Sequence, residues 1–176
     1  MRFTPTPLPG AFLIDIDRHD DERGSFARTF CAREFAEHGL DPAVVQTSQS
    51  WNRQRGTLRG MHFQRAPHGE AKTVRVVAGS IFDVLVDVRP DSPTFANWFG
   101  VELTAENARA VHIPAGFAHG FLTLEDNTVV QYQMSAFHEP QASNGFCWSD
   151  PTVAIAWPHP PVVLNERDRN LSPLVP

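Results

Sequence analysis

Proline and glycine interrupt this chain so often that no long helix runs through it. Fifteen prolines and eleven glycines fall at short intervals along 176 residues, and each either removes a backbone donor or frees the backbone to turn. What fits between such breaks is a series of short strands. The clearest covers residues 81–88, where Phe82, Val84, Val86 and Val88 alternate with Asp83, Leu85, Asp87 and Arg89. Ala78-Gly79-Ser80 reads as a tight turn joining it to a partner strand at 73–77. Apolar runs follow at 98–103, Ala110–Ile113 and 117–124. After a turn at Glu125-Asp126-Asn127, Thr128–Met134 reads as a strand with Val130, Tyr132 and Met134 on one face.

One short helix is predicted at 32–38, stopped by Gly39 and Pro42. The tail from Trp157 is proline-rich, and its polar stretch 165–170 reads as either a turn of helix or a loop. No repeat, low-complexity block or linker divides the sequence, so a single domain over 1–176 is expected. Strands at this spacing without intervening helices predict an all-β antiparallel sandwich or barrel. A jelly roll is the expected form, because its wide mouth accepts polar residues that otherwise break the strand pattern.

Charge and cysteine usage exclude several classes. The net charge of -5 and the absence of a basic run leave no electrostatic footprint for nucleic acid. Two cysteines, Cys31 and Cys147, are too few for a disulfide framework and fit a reducing compartment. Residues 1–10 lack a basic-then-apolar signal pattern, and no apolar run reaches the length of a membrane span. A cytoplasmic location with no membrane partner is expected.

The chemistry lies where proton-transferring side chains interrupt apolar strands. His62 stands in Leu58-Arg59-Gly60-Met61-His62-Phe63-Gln64, and His119 in Pro114-Ala115-Gly116-Phe117-Ala118-His119-Gly120-Phe121. A strand histidine flanked by Met and Phe points to one face while its neighbours point to the other. In an apolar cavity small influences decide whether it carries a proton. For both, a hydrogen-bonded structural histidine is an equal alternative. His19, His38, His68 and His159 lie in polar or proline-rich surroundings and suit the surface, whereas His112 suits a core or an interface.

Spacing weighs against other chemistries. Pro114-x-Gly116-x-x-His119 matches half of a metal-binding cupin pattern. The other half needs a His-x-His pair, and His62 is followed by Phe63 and Gln64. No metal and no cofactor are expected. There is no Gly-x-Ser-x-Gly and no glycine-rich phosphate loop. Proton abstraction beside a carbonyl fits better, since it needs a base, a donor for the developing enolate and a source of reprotonation. His62 can serve as base and Lys72 as the positive charge, although Lys72 also suits a strand end at the surface. Tyr132, the only tyrosine, can return a proton from the face opposite His62, or can simply be a satisfied core phenol. Asp168 can orient the imidazole, though spacing alone does not bring it near.

These residues sit within motifs that resemble those of the dTDP-4-dehydrorhamnose 3,5-epimerases, cupin-type enzymes of nucleotide-sugar metabolism. The motifs are Asp21-Glu22-Arg23-Gly24-x-Phe26, Gly56-Thr57-Leu58-Arg59-Gly60-Met61-His62-Phe63-Gln64, Gly79-Ser80-Ile81-Phe82-Asp83-Val84 and Ser92-Pro93-Thr94. They continue with Gly100-Val101-Glu102-Leu103, the segment Ile113 through Phe121, and Trp148-Ser149-Asp150-Pro151. The resemblance spans about residues 12–174. It implies a cupin-like jelly roll with a few short helices, a homodimer with exchanged N-terminal strands, and a metal-free reaction on a 4-keto-6-deoxy nucleotide sugar. It implies His62 as the base assisted by Asp168, Tyr132 as the acid on the opposite face, and Lys72 as the enolate stabiliser. Arg59 and His119 match positions that bind the diphosphate or sugar. Arg23, Phe26 and Gln46 match the nucleotide-binding wall, and Arg167 a basic position of the same site.

Four positions depart from the family pattern. Arg28 stands where Glu is usual, Ser48 where Asn is common, His138 where an aromatic residue stacks on thymine, and Ser143 where Glu is frequent. All four are associated with the nucleotide, and exchanging a carboxylate for Arg reverses local charge. The expected activity is inversion at C3 and C5 of a dTDP-4-keto-6-deoxyhexose. The alternatives are a single-centre epimerase, a CDP- or GDP-linked substrate, a non-catalytic sugar-binding cupin and, more remotely, a metal-dependent cupin.

Overall fold

A computed structural model describes residues 1–175. Thirteen strands and two short helices are assigned among them. The order is β1 (Arg2–Pro5), β2 (Phe12–Asp15), β3 (Arg18–Asp21), β4 (Gly24–Ala27), α1 (Ala32–Glu37), β5 (Gln46–Asn52) and β6 (Leu58–Gln64). It continues with β7 (Lys72–Ala78), β8 (Ser80–Asp87), β9 (Trp98–Thr104), β10 (Ala110–Ile113), β11 (Phe117–Thr123), β12 (Thr128–Met134), β13 (Ser143–Gly145) and α2 (Glu166–Arg169). The strands form a six-stranded sheet, β1-β2-β10-β7-β12-β5, and a five-stranded sheet, β13-β6-β11-β8-β9, with β3-β4 as a separate hairpin. Every strand pair is antiparallel. The architecture is the expected cupin-like jelly roll.

The turn at Gly79 does not make a hairpin. β7 pairs with β10 and β12, whereas β8 pairs with β11 and β9. Gly79, at φ +75°, is a corner at which the chain leaves one sheet for the other, and a Cβ there would collide with Thr128. The 125–127 turn is a second corner, taking the chain from β11 to β12. The sequential pairing of 73–77 with 81–88 is therefore corrected. Val74 and Val76 of β7 and Ile81 and Leu85 of β8 belong to the one core between the sheets, so sending the two strands to opposite layers lets them cover each other.

Three apolar clusters follow. Between the sheets, Val74, Val76 and Val130 from one layer meet Ile81, Leu85 and Phe121 from the other. On the outer face of the five-stranded sheet, Met61, Val84, Val86 and Ala118 are covered by Phe146, Val153 and the tail residues Ile155, Trp157 and Leu174. On the outer face of the six-stranded sheet, α1 seats Phe35 against Ile14 and Ala110. Each fully buried apolar side chain contributes about 1.5–3 kcal/mol relative to exposure. The helix ends as the sequence predicts, with His38 as its cap and Gly39 at φ +71°.

Two motifs prove structural. Asp87, fully buried, accepts from Arg89 Nη2, Ser92 Oγ and Thr94 Oγ1, each at 2.6 Å, and so ties down the loop after β8. Asp150 accepts from the backbone of Thr152 at 2.7 Å and Leu174 at 2.6 Å, which clips the tail onto the outer face. That clip sets the course of the chain that carries α2 to the mouth of the sandwich. No helix among the described residues is long and apolar enough to cross a membrane.

Candidate active site

The site begins with an irregularity in β6. His62 pairs with His119 on β11, but Arg59 pairs with Phe121, so β6 carries one extra residue between the two pairs. Regular alternation would send Arg59 and His62 to opposite faces; the bulge turns both toward the interior. Gly60 makes this possible. It has φ +144°, and a Cβ there would lie 2.6 Å from the Gly120 Cα of the neighbouring strand.

The interior face holds a cavity of about 210 Å³. Arg59 and His62 from β6, with His119 and Phe121 from β11, form one wall. Lys72 from β7 and Tyr132 from β12 form the wall contributed by the other sheet, and Asn165 and Asp168 close it from the tail. The structure thus brings together all four residues expected to be catalytic, His62, Lys72, Tyr132 and Asp168, with Arg59 and His119 beside them.

Asp168 reaches His62 because 165–170 is a helical turn. The Asn165 side chain caps it, accepting from the Asp168 N–H at 2.6 Å. One Asp168 oxygen accepts from His62 Nε2 at 2.7 Å and the other from the Gly60 N–H at 3.2 Å. Burial pushes this carboxyl up, but the bond and charge of His62, the Gly60 N–H and the charge of Arg167 together hold it below its usual range. With Nε2 committed to a carboxylate, Nδ1 is the ring nitrogen left to take a proton when the imidazole is neutral.

His119 has an equivalent partner. Its Nε2 donates to Asp83 Oδ1 at 2.7 Å, and Asp83 is fully buried with its second oxygen unpartnered among the described residues. Tyr132 stands edge-on to His119 with ring centroids 6.3 Å apart, and its hydroxyl lies 3.1 Å from Ser50 Oγ. Burial pushes the Tyr132 phenol up to about 12; the Asp83 charge adds to this, while Ser50 and Arg59 oppose it. Lys72 Nζ is paired with Glu70 at 2.8 Å. An imidazole oriented by a carboxylate and a phenol held protonated, one on each sheet, form an arrangement able to move protons on and off carbon.

The remaining expected site residues do not line this cavity. Arg23 and Phe26 ride on the exposed β3–β4 hairpin, with Phe26 75% exposed. Arg28 faces Glu34 at 3.4 Å. Ser48 is the cross-strand partner of Tyr132 on β5. Gln46 Oε1 accepts from the His138 N–H at 2.7 Å, and Ser143 Oγ from Arg167 Nη2 at 2.9 Å. A cavity this small takes only part of a large ligand and leaves the rest to extend outward.

Sequence reasoning missed Asp83, Glu70, Ser50, Asn52 and Asn165. Asp83 left a signal, a carboxylate repeating inward in the apolar alternation of 81–88, whereas the others are ordinary polar residues whose positions only the fold reveals. Among the described residues no group of three or more His, Cys, Asp or Glu side chains is placed to hold a metal ion.

Comparison with known proteins adds to this geometry. A family model described as dTDP-4-dehydrorhamnose 3,5-epimerase matches residues 5–175. The chain is 46% identical over 177 residues to the dTDP-4-dehydrorhamnose 3,5-epimerase of Methanothermobacter thermautotrophicus, covering 98% of this chain and 94% of that one. The Bacillus anthracis dTDP-4-dehydrorhamnose 3,5-epimerase, solved with TDP and PPi bound, superposes with a TM-score of 0.95 at 36% identity, covering 98% and 99% of the two chains. A Legionella pneumophila dTDP-6-deoxy-D-glucose-3,5-epimerase in complex with dTDP-4-keto-L-rhamnose gives a TM-score of 0.93 at 36% identity, covering 98% and 92%.

Proposed function

This chain belongs to the dTDP-4-dehydrorhamnose 3,5-epimerase family, and we propose that it inverts C3 and C5 of dTDP-4-keto-6-deoxyglucose to give dTDP-4-dehydrorhamnose. It is an isomerase of nucleotide-sugar metabolism, in rhamnose biosynthesis. The observation that carries the reading is the His62–Asp168 dyad and Tyr132 as walls of one cavity, supplied by opposite sheets and the tail.

His62 Nδ1 takes the proton from carbon beside the C4 ketone, the C–H electron pair becomes the carbon–carbon double bond of the enolate, and the carbonyl π pair moves onto the ketone oxygen. The Lys72 ammonium stabilises the enolate that forms. Asp168 holds the imidazole and balances its new charge. Tyr132 then gives its hydroxyl proton to the opposite face of the same carbon, which inverts it. The imidazolium releases its proton to water and the phenolate regains one. C3 and C5 flank the same carbonyl, so the same enolate site serves each in turn. Arg59 and His119 hold the sugar and its diphosphate.

A homodimer accounts for the hairpin. Exchange of the N-terminal strands carries Arg23 and Phe26 from an exposed ribbon to the cavity mouth of a second copy, where Gln46, Ser48, His138, Ser143, Arg167 and Arg28 surround the nucleotide. We place this protein, as one jelly-roll domain, in the cytoplasm, where it acts on a small molecule and binds no nucleic acid. The test is product configuration by proton NMR after incubation with dTDP-4-keto-6-deoxyglucose. Inversion at both carbons is expected. Inversion at one marks a single-centre epimerase, and binding without conversion marks a sugar-binding cupin.

A further inference from the structure

A line of polar side chains outside the reacting groups links the cavity's two walls. Arg59 Nε donates to Asn52 Oδ1 at 2.8 Å. Asn52, almost fully buried, donates from Nδ2 to Thr128 O at 3.2 Å and to Ser50 Oγ at 3.3 Å, the second hydrogen being shared with the Ser50 carbonyl at 3.5 Å. Ser50 Oγ in turn lies 3.1 Å from the Tyr132 hydroxyl. Asn52 and Ser50 are both on β5, the last strand of the six-stranded sheet, and Ser50 is the cross-strand partner of Val130, one step along from Tyr132 on the same face.

Proton counting gives this line a direction. The Asn52 amide nitrogen has only hydrogens to offer, so Ser50 Oγ accepts from it. The single Ser50 hydrogen is then free to go to the Tyr132 oxygen. Once that oxygen accepts, its own hydrogen has no claim from β5 and is available to the cavity. We propose that Ser50 is a positioning residue for the acid step, donating to Tyr132 so that the phenol O–H points at the bound sugar. Asn52 keeps Ser50 in that role and ties it to Arg59. The inference rests on the reading of Tyr132 as the proton donor.

The simpler account is that Ser50 only satisfies a buried phenol, with Tyr132 as donor. The two differ in what they predict for turnover. A hydroxyl that donates to the phenol oxygen stabilises the phenolate, so removing it makes Tyr132 less acidic. A hydroxyl that accepts from the neutral phenol can turn to donate once the phenol ionises, so that loss of acidity is shared by both accounts, and only a fall in kcat at unchanged KM belongs to positioning alone. The other charged and titratable groups around the phenol are Arg59, His62, Lys72, Asp83, His119 and Asp168, and none of them changes in the comparison.

Tyr132 is the only tyrosine in the chain, so 3-fluorotyrosine incorporation places one fluorine at this site and brings its ionisation to lower pH. The titration is read by fluorine NMR on ligand-free protein, with near-UV circular dichroism confirming the fold. Ser50→Ala is expected to lower the acidity constant about threefold or more, and Ser50→Thr to restore it. In turnover, Ser50→Ala is expected to lower kcat about tenfold with KM within about twofold. A kcat in Ser50→Ala within about twofold of wild type, an unchanged or raised acidity constant, loss of its fold, or failure of Ser50→Thr to restore both overturns the proposal. If the wild-type protein itself does not turn over, the epimerase reading fails, while the titration still tests whether Ser50 donates to the phenolate oxygen.

Discussion

His62 lies directly opposite His119 in the β6–β11 ladder, and each gives its Nε2 to a buried carboxylate at 2.7 Å. The two pairs differ in origin. Asp83 reaches His119 from the neighbouring strand β8, whereas Asp168 reaches His62 from the far end of the chain. The base is therefore assembled only when the tail has docked, and its orientation depends on the Asn165 cap and the Asp150 clip.

The dyad gives the first prediction. Asp168→Asn keeps the shape at His62 and removes the charge that balances an imidazolium. We expect kcat to fall about 10²- to 10⁴-fold while dTDP affinity stays within a few-fold. His62→Ala is expected to do the same. Steady-state kinetics with a separate dTDP titration checks this, and affinity falling in step with activity contradicts the assigned roles.

Tyr132 gives the second. Its phenol, pushed up to about 12 by burial, stays protonated throughout the neutral and mildly alkaline range. The rate should show no alkaline fall from this group below about pH 11. Tyr132→Phe should retain affinity, continue to exchange the substrate proton on the His62 face and lose inversion. A pH–rate profile and exchange measured by mass spectrometry report on the two halves.

His112 ties stability to pH. It is buried against Phe35, bonded through Nδ1 to Thr73 Oγ1 at 3.1 Å, and burial pushes it down to about 4, with Asp41 opposing. Its folded value lies below its unfolded value of about 6.5, so the unfolded chain binds more protons in between. The contribution, about 3 kcal/mol, is complete above pH 6.5 and is lost as pH falls toward 4. Denaturant melts at pH 7 and pH 4.5 should show this loss, and His112→Gln should flatten it.

The bulge at Gly60 is the fourth. Gly60→Ala places a methyl against the Gly120 Cα at a backbone angle that L side chains rarely adopt. A loss of about 2–4 kcal/mol is expected, with activity falling further than stability because Arg59 and His62 lose their shared face. Thermal melts and kinetics on the same sample separate the two.

The strands from β6 to β12, the short helix and the histidines that matter were legible because each is a local pattern, whereas β1 to β5 and β13 were not, being short or polar. The alternation in 81–88 and the isolated imidazoles at 62 and 119 need no partner to be read. The corner at Gly79 was not legible, since a glycine turn between two strands looks alike whether they pair or part. Nor was the shared orientation of Arg59 and His62, which an odd separation argues against until the bulge is known. Asp83, Ser50 and Asn52 escaped because their meaning lies in contacts across 36, 82 and 7 positions of sequence. Asp168 could be suggested as the carboxylate for His62, but its 106-residue separation kept spacing from placing it there.

The most direct test is incubation with dTDP-4-keto-6-deoxyglucose in deuterium oxide, followed by NMR of the recovered sugar. An imidazole and a phenol acting in turn on both flanks of one ketone predict deuterium at C3 and at C5, each with inverted configuration. Sugar recovered bound but unlabelled at both carbons contradicts it.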